Sequence, residues 1–372
     1  MRQASSSEQE HSEEMSPDRE SIQQALEKAV NEGRRFTKNG RVATYIPELS
    51  KADSEQIGAC IKTVKGETYS AGNWRVPFTM QSISKTISLT LALQTAGYDK
   101  VFSKVGLEPT GDSFNSIVKL ETRTPHPLNP MINAGAIATA SCIPGEDPFE
   151  LYLDLAKKVC LNRTLSINME VYLSEKHAGM RNRSMAYWMK SENIIEGDPE
   201  EALDLYFRMC SVNVTAEDLA NWGMVLANDG VDPISGERLA ESWIVRIVKT
   251  FMVTCGMYDG SGEFAIKAGI PSKSGVGGGI LSAVEGRMGI GVFNPSLDLK
   301  GNSIGGMHLL EHLSKSLGLH YFAGKTAVSA AEQLLSIGKR SVSDRPGTEK
   351  YGVKCRDKWR FHRREEPSAG RC

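Results

Sequence analysis

Hydrophobic and polar positions divide the 372-residue chain into stretches of different texture. The first twenty residues, MRQASSSEQEHSEEMSPDRE, carry too few apolar side chains to offset the entropy of ordering them, and this acidic segment is expected to be disordered. Helical spacing starts in SIQQALEKAVNEGRR, and GACIKTV and ETYSAG then read as two strands paired around Lys65-Gly66. Pro77 to Leu93, PFTMQSISKTISLTLAL, follows as a buried helix. From about 98 to 253 the apolar spacing is mostly helical, in NAGAIATAS, PFELYLDLAKKV, MEVYLSEKHAG, MAYWMKSEN, AEDLANWGMVLAND and ESWIVRIVKTFM, with Pro, Gly and Asn between them. Short runs return in KSGVGGGILSAV and RMGIGVFNP, a second hairpin about Glu285-Gly286, and GGMHLLEHLSKSLGL closes as an amphipathic helix. The pattern predicts an α+β domain over 21–322, with a sheet subdomain (about 21–97 and 254–322) interrupted by a helical one (about 98–253). Residues 323–372 hold twelve Lys/Arg against six Asp/Glu in a Pro/Gly-interrupted run, which predicts a basic, partly disordered extension.

Composition adds exclusions. With 40% hydrophobic and 24% charged residues the chain is ordinary globular material, and a formal charge of −1 gives no field that would draw nucleic acid or an anionic membrane. The seven cysteines (60, 142, 160, 210, 255, 355, 372) form no C-x-x-C pair, so they read as reduced thiols rather than a disulfide frame or a zinc site. Neither they nor the seven histidines have metal-ligand spacing. The N-terminus lacks a signal-peptide core and no run of eighteen apolar residues occurs, so a soluble cytoplasmic protein is expected.

Between Arg75 and Asp99 the only charged residue is Lys85, three places after Ser82. On a helix that spacing puts hydroxyl and amine on one face, the geometry of a nucleophile beside its base. Burial away from carboxylates lowers a lysine pKa and so favours the neutral form that can take a proton. S-x-x-K also occurs at Ser116/Lys119 and Ser336/Lys339, both in polar surroundings, and a snorkelling lysine beside an N-cap serine is the alternative for Ser82/Lys85. A second element, Lys273-Ser274-Gly275 at the start of a Gly-rich run, is the only K-[ST]-G of the chain. Together the two match the arrangement of serine acyl-transferring enzymes of the β-lactamase and penicillin-binding type.

Longer blocks extend the match. Tyr45-Ile-Pro-Glu-Leu, Val76-Pro77-Phe78, Gln81-Ser82-Ile83-Ser84-Lys85, Asn129-Pro-Met-Ile-Asn133, Ser174-Glu175, Arg181-Asn182, Tyr206-Phe207, Cys255-Gly-Met-Tyr258-Asp259 and Lys273-Ser-Gly-Val276 stand in the order of the serine-dependent glutaminases. Over about 22–322 the chain resembles that family. The resemblance implies an antiparallel sheet flanked by helices with an inserted all-helical domain, and hydrolysis of L-glutamine to L-glutamate and ammonia without metal or organic cofactor. It implies Ser82 as the acylated nucleophile, Lys85 as its base, Tyr258 in the proton path, and the N–H groups of Ser82 and Val276 as an oxyanion hole. Asn133, Glu175, Asn182 and Tyr206 would hold the amino-acid end of glutamine, with Tyr45 and Gln81 lining the pocket, and a homotetramer is implied as well. The residue types suit a zwitterion, whose ammonium needs a carboxylate and whose carboxylate needs neutral or positive donors. Taken singly, Asn133 reads equally as a helix cap, Glu175 as a solvated helix residue and the tyrosines as core-edge residues. Two competing readings are a β-lactamase or penicillin-binding type of acyl hydrolase, whose middle motif Ser211-Val212-Asn213 would imitate, and a catalytically silent glutamine-binding protein. Arg123, Lys176 and Arg183 receive no role.

Overall fold

The structure, a computed structural model, describes residues 19–110 and 126–323. Helix α1 (Arg19–Arg34) leads to β1 (Gly58–Thr63) and β2 (Thr68–Gly72), an antiparallel pair. The tight turn between these strands uses Gly66 at φ +85°, a conformation open to glycine at no steric cost. After β3 (Phe78–Thr79), a 3-10 turn over Gln81–Ile83 runs straight into α2 (Ser84–Thr95). Helices α3 (Tyr98–Phe102), α4 (Asn133–Ala140), α5 (Pro148–Val159), α6 (Met169–Ala178), α7 (Met180–Ser191) and α8 (Pro199–Cys210) follow. Next come β4 (Asn213–Val214), α9 (Ala216–Ala227), α10 (Ser242–Cys255), α11 (Ser261–Lys267), β5 (Ser272–Ser274), β6 (Gly279–Val284), β7 (Met288–Phe293) and α12 (Ile304–Leu317).

Five strands form one antiparallel sheet in the order β2-β1-β7-β6-β5. The sequence of β7, Met-Gly-Ile-Gly-Val-Phe, explains how it is covered on both faces, because side chains alternate across a strand. Met288, Ile290 and Val292 join Leu26 of α1 and Leu309 of α12 in one apolar cluster. Gly289 and Gly291 turn the other way, against α9, where a Cβ would lie 2.0 Å from Met224 N and 1.9 Å from Ala216 O. The missing side chains let the helix backbone rest on the strand. Gly291→Ala is therefore expected to cost about 3 kcal/mol of stability by forcing helix and sheet apart, seen as a lower urea midpoint at unchanged slope.

The same logic places α2 at the centre of the molecule. Ten of its residues, Ser84 to Leu93, are buried, and it packs against α4, α5 and α10. A helix buried all round must satisfy its own polar side chains. Thr86 Oγ1 donates to Ile83 O (2.8 Å) and accepts from Trp222 Nε1 of α9 (2.9 Å), and Thr90 Oγ1 donates to Thr86 O (2.8 Å). Lys85 is the one charged side chain in that buried run.

Three features differ from the sequence expectations. Ser82 lies in the 3-10 turn rather than in the helix itself, though the turn and helix are continuous. The helices read from the sequence do not include α8, although Ala202, Leu203, Tyr206, Phe207 and Cys210 have helical spacing behind the Asp198 cap, which accepts from Glu200 N, and Pro199 at the first helical position. Finally, α9 falls within the 98–253 segment expected to be a helical insert, yet it covers the face of the sheet opposite α1 and α12. Its Gly223 permits this, since a Cβ there would meet Ser282 O at 2.3 Å. Residues 1–18 and 324–372, and with them Ser336/Lys339, lie outside the described residues, as do Ser116/Lys119 and Arg123.

Candidate active site

Ser82 and Lys85 meet as the spacing requires: Lys85 Nζ donates to Ser82 Oγ at 3.1 Å. The amine also donates to Asn133 Oδ1 (2.7 Å) and Met131 O (3.3 Å), neutral acceptors that fix its direction without supplying a counter-charge. Both side chains are buried, at 5% and 1% exposure. Desolvation lowers the Lys85 pKa to about 8, with Cys210 and Glu175 opposing it weakly. The neutral amine is thus a minority species at pH 7 and reaches half of the molecules near pH 8.

The turn before the nucleophile is strained. Gln81 holds φ +49°, a left-handed conformation that costs a non-glycine residue about 1–3 kcal/mol and occurs where function fixes the backbone. Anchors on both sides hold it: Met80 N donates to Val212 O (2.9 Å), and Ile83 N to Met80 O (3.1 Å). The loop from Gly275 to Gly277 presses on this turn, for a Cβ at Gly275 would lie 2.7 Å from Met80 O and one at Gly277 2.5 Å from Thr79 O. Val276, between them, is 4% exposed and clusters with Tyr258.

Tyr258 is also left-handed, at φ +53°, in a 3-10 turn after α10. Its hydroxyl donates to Ser274 O (3.2 Å) and hydrogen-bonds with Ser82. Burial holds the phenol well above its usual pKa, so a neutral O–H faces the nucleophile. Lys273 of the K-S-G element is fully buried; its amine donates to Ser274 O (2.6 Å) and Gly256 O (3.2 Å) and sits 4.6 Å from the Tyr258 ring centre. Desolvation lowers its pKa well below the ordinary value.

On the other side of Ser82 is a narrow cavity of about 70 Å³, lined by Tyr45, Ile46, Gln81, Ser82, Asn133, Glu175, Ala178, Gly179, Arg181, Asn182 and Tyr206. Seven of these residues are sequence candidates, from elements 161 positions apart at the extremes, Tyr45 and Tyr206. Glu175 is 6% exposed, and Gln81 Nε2 donates to its Oε2 at 3.3 Å. Burial raises the Glu175 pKa to about 7, against the pull of that hydrogen bond and of Lys85. Asn133 is not a cap: it is the first residue of α4, its Oδ1 serves Lys85 and its Nδ2 donates to Asn182 Oδ1 (3.1 Å). Tyr206, on α8, is 3% exposed, while Tyr45 lies across the mouth with 53% of its surface open. The hydroxyl is the desolvated end of each side chain, for Tyr45 despite the exposure of the rest, and this desolvation comes first in raising both pKa values, so they act as neutral hydrogen-bond groups. Lys85 stands outside the lining, bonded to Ser82 and Asn133 of it, and Tyr258, with Val276 packed in the same cluster, reaches Ser82 from outside the lining as well.

Other groups fall away from the chemistry. Asn213 accepts from Asn168 Nδ2 (3.4 Å) and belongs to β4, so the Ser-x-Asn run serves strand pairing. Lys176 is held by Asp204 (2.5 Å) and Tyr172, and Arg183 by Lys176 O (2.8 Å) and Glu200. A larger cavity, about 650 Å³, opens beside α5 and α8, but its Lys176 and Arg208 are both spent on Asp204 and no activated nucleophile lines it. Among the described residues no cluster of His, Cys, Asp or Glu could hold a metal ion. Cys210, which with Ser211 belongs to the Tyr206-Phe207 block that resembles the glutaminases but receives no role from the sequence, has its Sγ 3.7 Å from Ser84 Oγ, and burial pushes its thiol up to about 12.

The family model for glutaminase matches residues 40–322. A glutaminase of Clostridium perfringens is 54% identical over 301 residues, which cover 80% of this chain and 99% of that protein. One of Fusobacterium nucleatum is 53% identical over 305 residues, covering 81% of this chain and 100% of the other. Among solved structures, a Bacillus subtilis glutaminase in covalent complex with 5-oxo-L-norleucine, formed from 6-diazo-5-oxo-L-norleucine, superposes with a TM-score of 0.74 at 38% identity, covering 81% of this chain and 99% of that one.

Proposed function

Because the chain belongs to the glutaminase family, is an enzyme of that activity and has its β-lactamase-like fold, we propose that Ser82 is its acylated nucleophile and Lys85 the base. The observation that carries this is a buried amine 3.1 Å from a buried hydroxyl, with neutral acceptors around it. Ser82 Oγ attacks the side-chain amide carbon of L-glutamine as its proton passes to Lys85 Nζ. The tetrahedral oxyanion is met by the N–H groups of Ser82 and Val276, which the glycines at 275 and 277 allow to approach. As the C–N bond breaks, the proton reaches the departing nitrogen through Lys85 and the Tyr258 hydroxyl, and ammonia leaves. Water, deprotonated by the same amine, then hydrolyses the glutamyl-Ser82 ester to glutamate. Glu175 faces the substrate ammonium, with Asn133, Asn182, Tyr206, Tyr45 and Gln81 around the rest of the amino-acid end.

The pH profile tests this scheme. Lys85 must be neutral to take the proton, and Glu175 must be ionised to pair with the ammonium. Their pKa values, about 8 and about 7, place both transitions on the same side, so kcat/KM for L-glutamine rises with pH through that window. Glu175→Gln removes the lower step and raises KM. Glutamate formation measured from pH 6 to 9 checks it; a profile that is flat, or that falls as pH rises from 6 to 8, contradicts the two assigned protonation states.

We also propose a homo-oligomer in the cytoplasm. Exposed Met169, Leu173, Met180 and Tyr187 on α6 and α7 supply apolar surface for self-association, which light scattering reads directly. The five described cysteines are buried and unpaired, as suits a reducing compartment, and no described helix is long and apolar enough to cross a membrane.

A further inference from the structure

The cavity beside Ser82 contains a cation to which the scheme above gives no task. Arg181 lines it, is exposed, and has no hydrogen-bond, ion-pair or ring partner among the described residues. Its neighbours are committed: Lys176 to Asp204, Arg183 to Glu200 and the Lys176 carbonyl, Lys85 to three acceptors. The backbone fixes where Arg181 stands. Gly179, between α6 and α7, packs so closely that a Cβ would lie 2.5 Å from Phe207 Cζ, and the next turn delivers Arg181 and Asn182 together to the cavity.

We propose that Arg181 is a specificity-determining residue that reads the free α-carboxylate of glutamine, so that glutamine amidated or peptide-linked at that group is disfavoured. The inference rests on the placement of the amino-acid end in this cavity. That end of the substrate carries one positive and one negative charge. Among the described residues Glu175 is the only acidic side chain lining the cavity, and it suits the ammonium. The other polar lining groups, Tyr45, Gln81, Ser82, Asn133, Asn182 and Tyr206, are neutral, so among the described lining residues Arg181 alone can oppose the carboxylate with a full charge. Its planar fork of N–H donors also matches a carboxylate geometrically, which a lysine amine does not. Because the side chain is exposed, the attraction is screened by salt.

The test compares L-glutamine with its α-carboxamide, L-glutaminamide, in wild type, Arg181→Gln, Arg181→Ala and Arg181→Lys. The readout is the ratio of kcat/KM for the two substrates. Wild type favours the free acid; in Arg181→Gln and Arg181→Ala the ratio falls by about tenfold, through KM of L-glutamine, and Arg181→Lys recovers part of it. The wild-type ratio also shrinks with rising salt, and those of the two neutral variants do not. A ratio equal to wild type in both neutral variants overturns the role of Arg181, whatever their absolute rates. A wild type that turns over both substrates equally well overturns the placement of the amino-acid end in this cavity, and the inference with it.

Discussion

Ser82→Ala is expected to reduce glutamate release by about 10⁴- to 10⁶-fold, the loss seen when a serine hydrolase is deprived of its nucleophile. The variant removes one oxygen from a turn held by backbone bonds from Met80 and Ile83, so the fold stays intact and thermal stability moves little. Product binding is retained, because Glu175, Asn133, Asn182 and Tyr206 do not pass through the hydroxyl for their own contacts. Calorimetric titration with glutamate separates lost chemistry from lost binding. Activity within tenfold of wild type would show that another group is acylated, or none.

Substitution of Lys85 gives the second large effect and distinguishes a base from a charge. Lys85→Arg keeps a cation in nearly the same place, but guanidinium does not give up its proton in a protein. If the residue works by removing the Ser82 proton, this variant loses at least about 10³-fold in kcat at every pH, and its profile lacks the step near 8. Lys85→Met loses as much. It also leaves Asn133 Oδ1 and Met131 O without their donor, which costs about 1–3 kcal/mol of stability at a dry site. A Lys85→Arg enzyme that keeps a tenth or more of its activity would mean that position 85 supplies positive charge alone.

What could be read from the chain, and what could not, follows from the range of the signals. Ser82 and Lys85 were legible because three residues of spacing in an apolar run translate directly into a shared helical face. The strands around Gly66 and Glu285-Gly286 were legible for the same local reason, alternation and a turn residue. Glu175 was not: in Ser-Glu-Lys it looks solvated, and only the packing of α6 against distant parts of the chain buries it and puts Gln81 on its carboxylate. Likewise Asn133 begins a helix, but its side chain answers to Lys85, 48 positions away, and to Asn182. The family resemblance brought in such residues where periodicity had nothing to say. Arg181 stood next to Asn182 in a matching block and gained meaning once its neighbours were seen to be paired elsewhere. The position of α9 on the sheet depended on Gly223 meeting Gly289 across 66 residues and Gly291 meeting Ala216 across 75, a long-range fit that helical spacing does not encode.

The central claim is that the Lys85 amine takes the proton of the Ser82 hydroxyl, which then takes up the glutamyl group. Its most direct test is peptide mass spectrometry after treatment with 6-diazo-5-oxo-L-norleucine. The account predicts a single adduct on the peptide carrying Ser82, formed faster as pH rises through about 8 and absent from Ser82→Ala. An adduct on Cys210 or any other residue, or one that persists in Ser82→Ala, would contradict it.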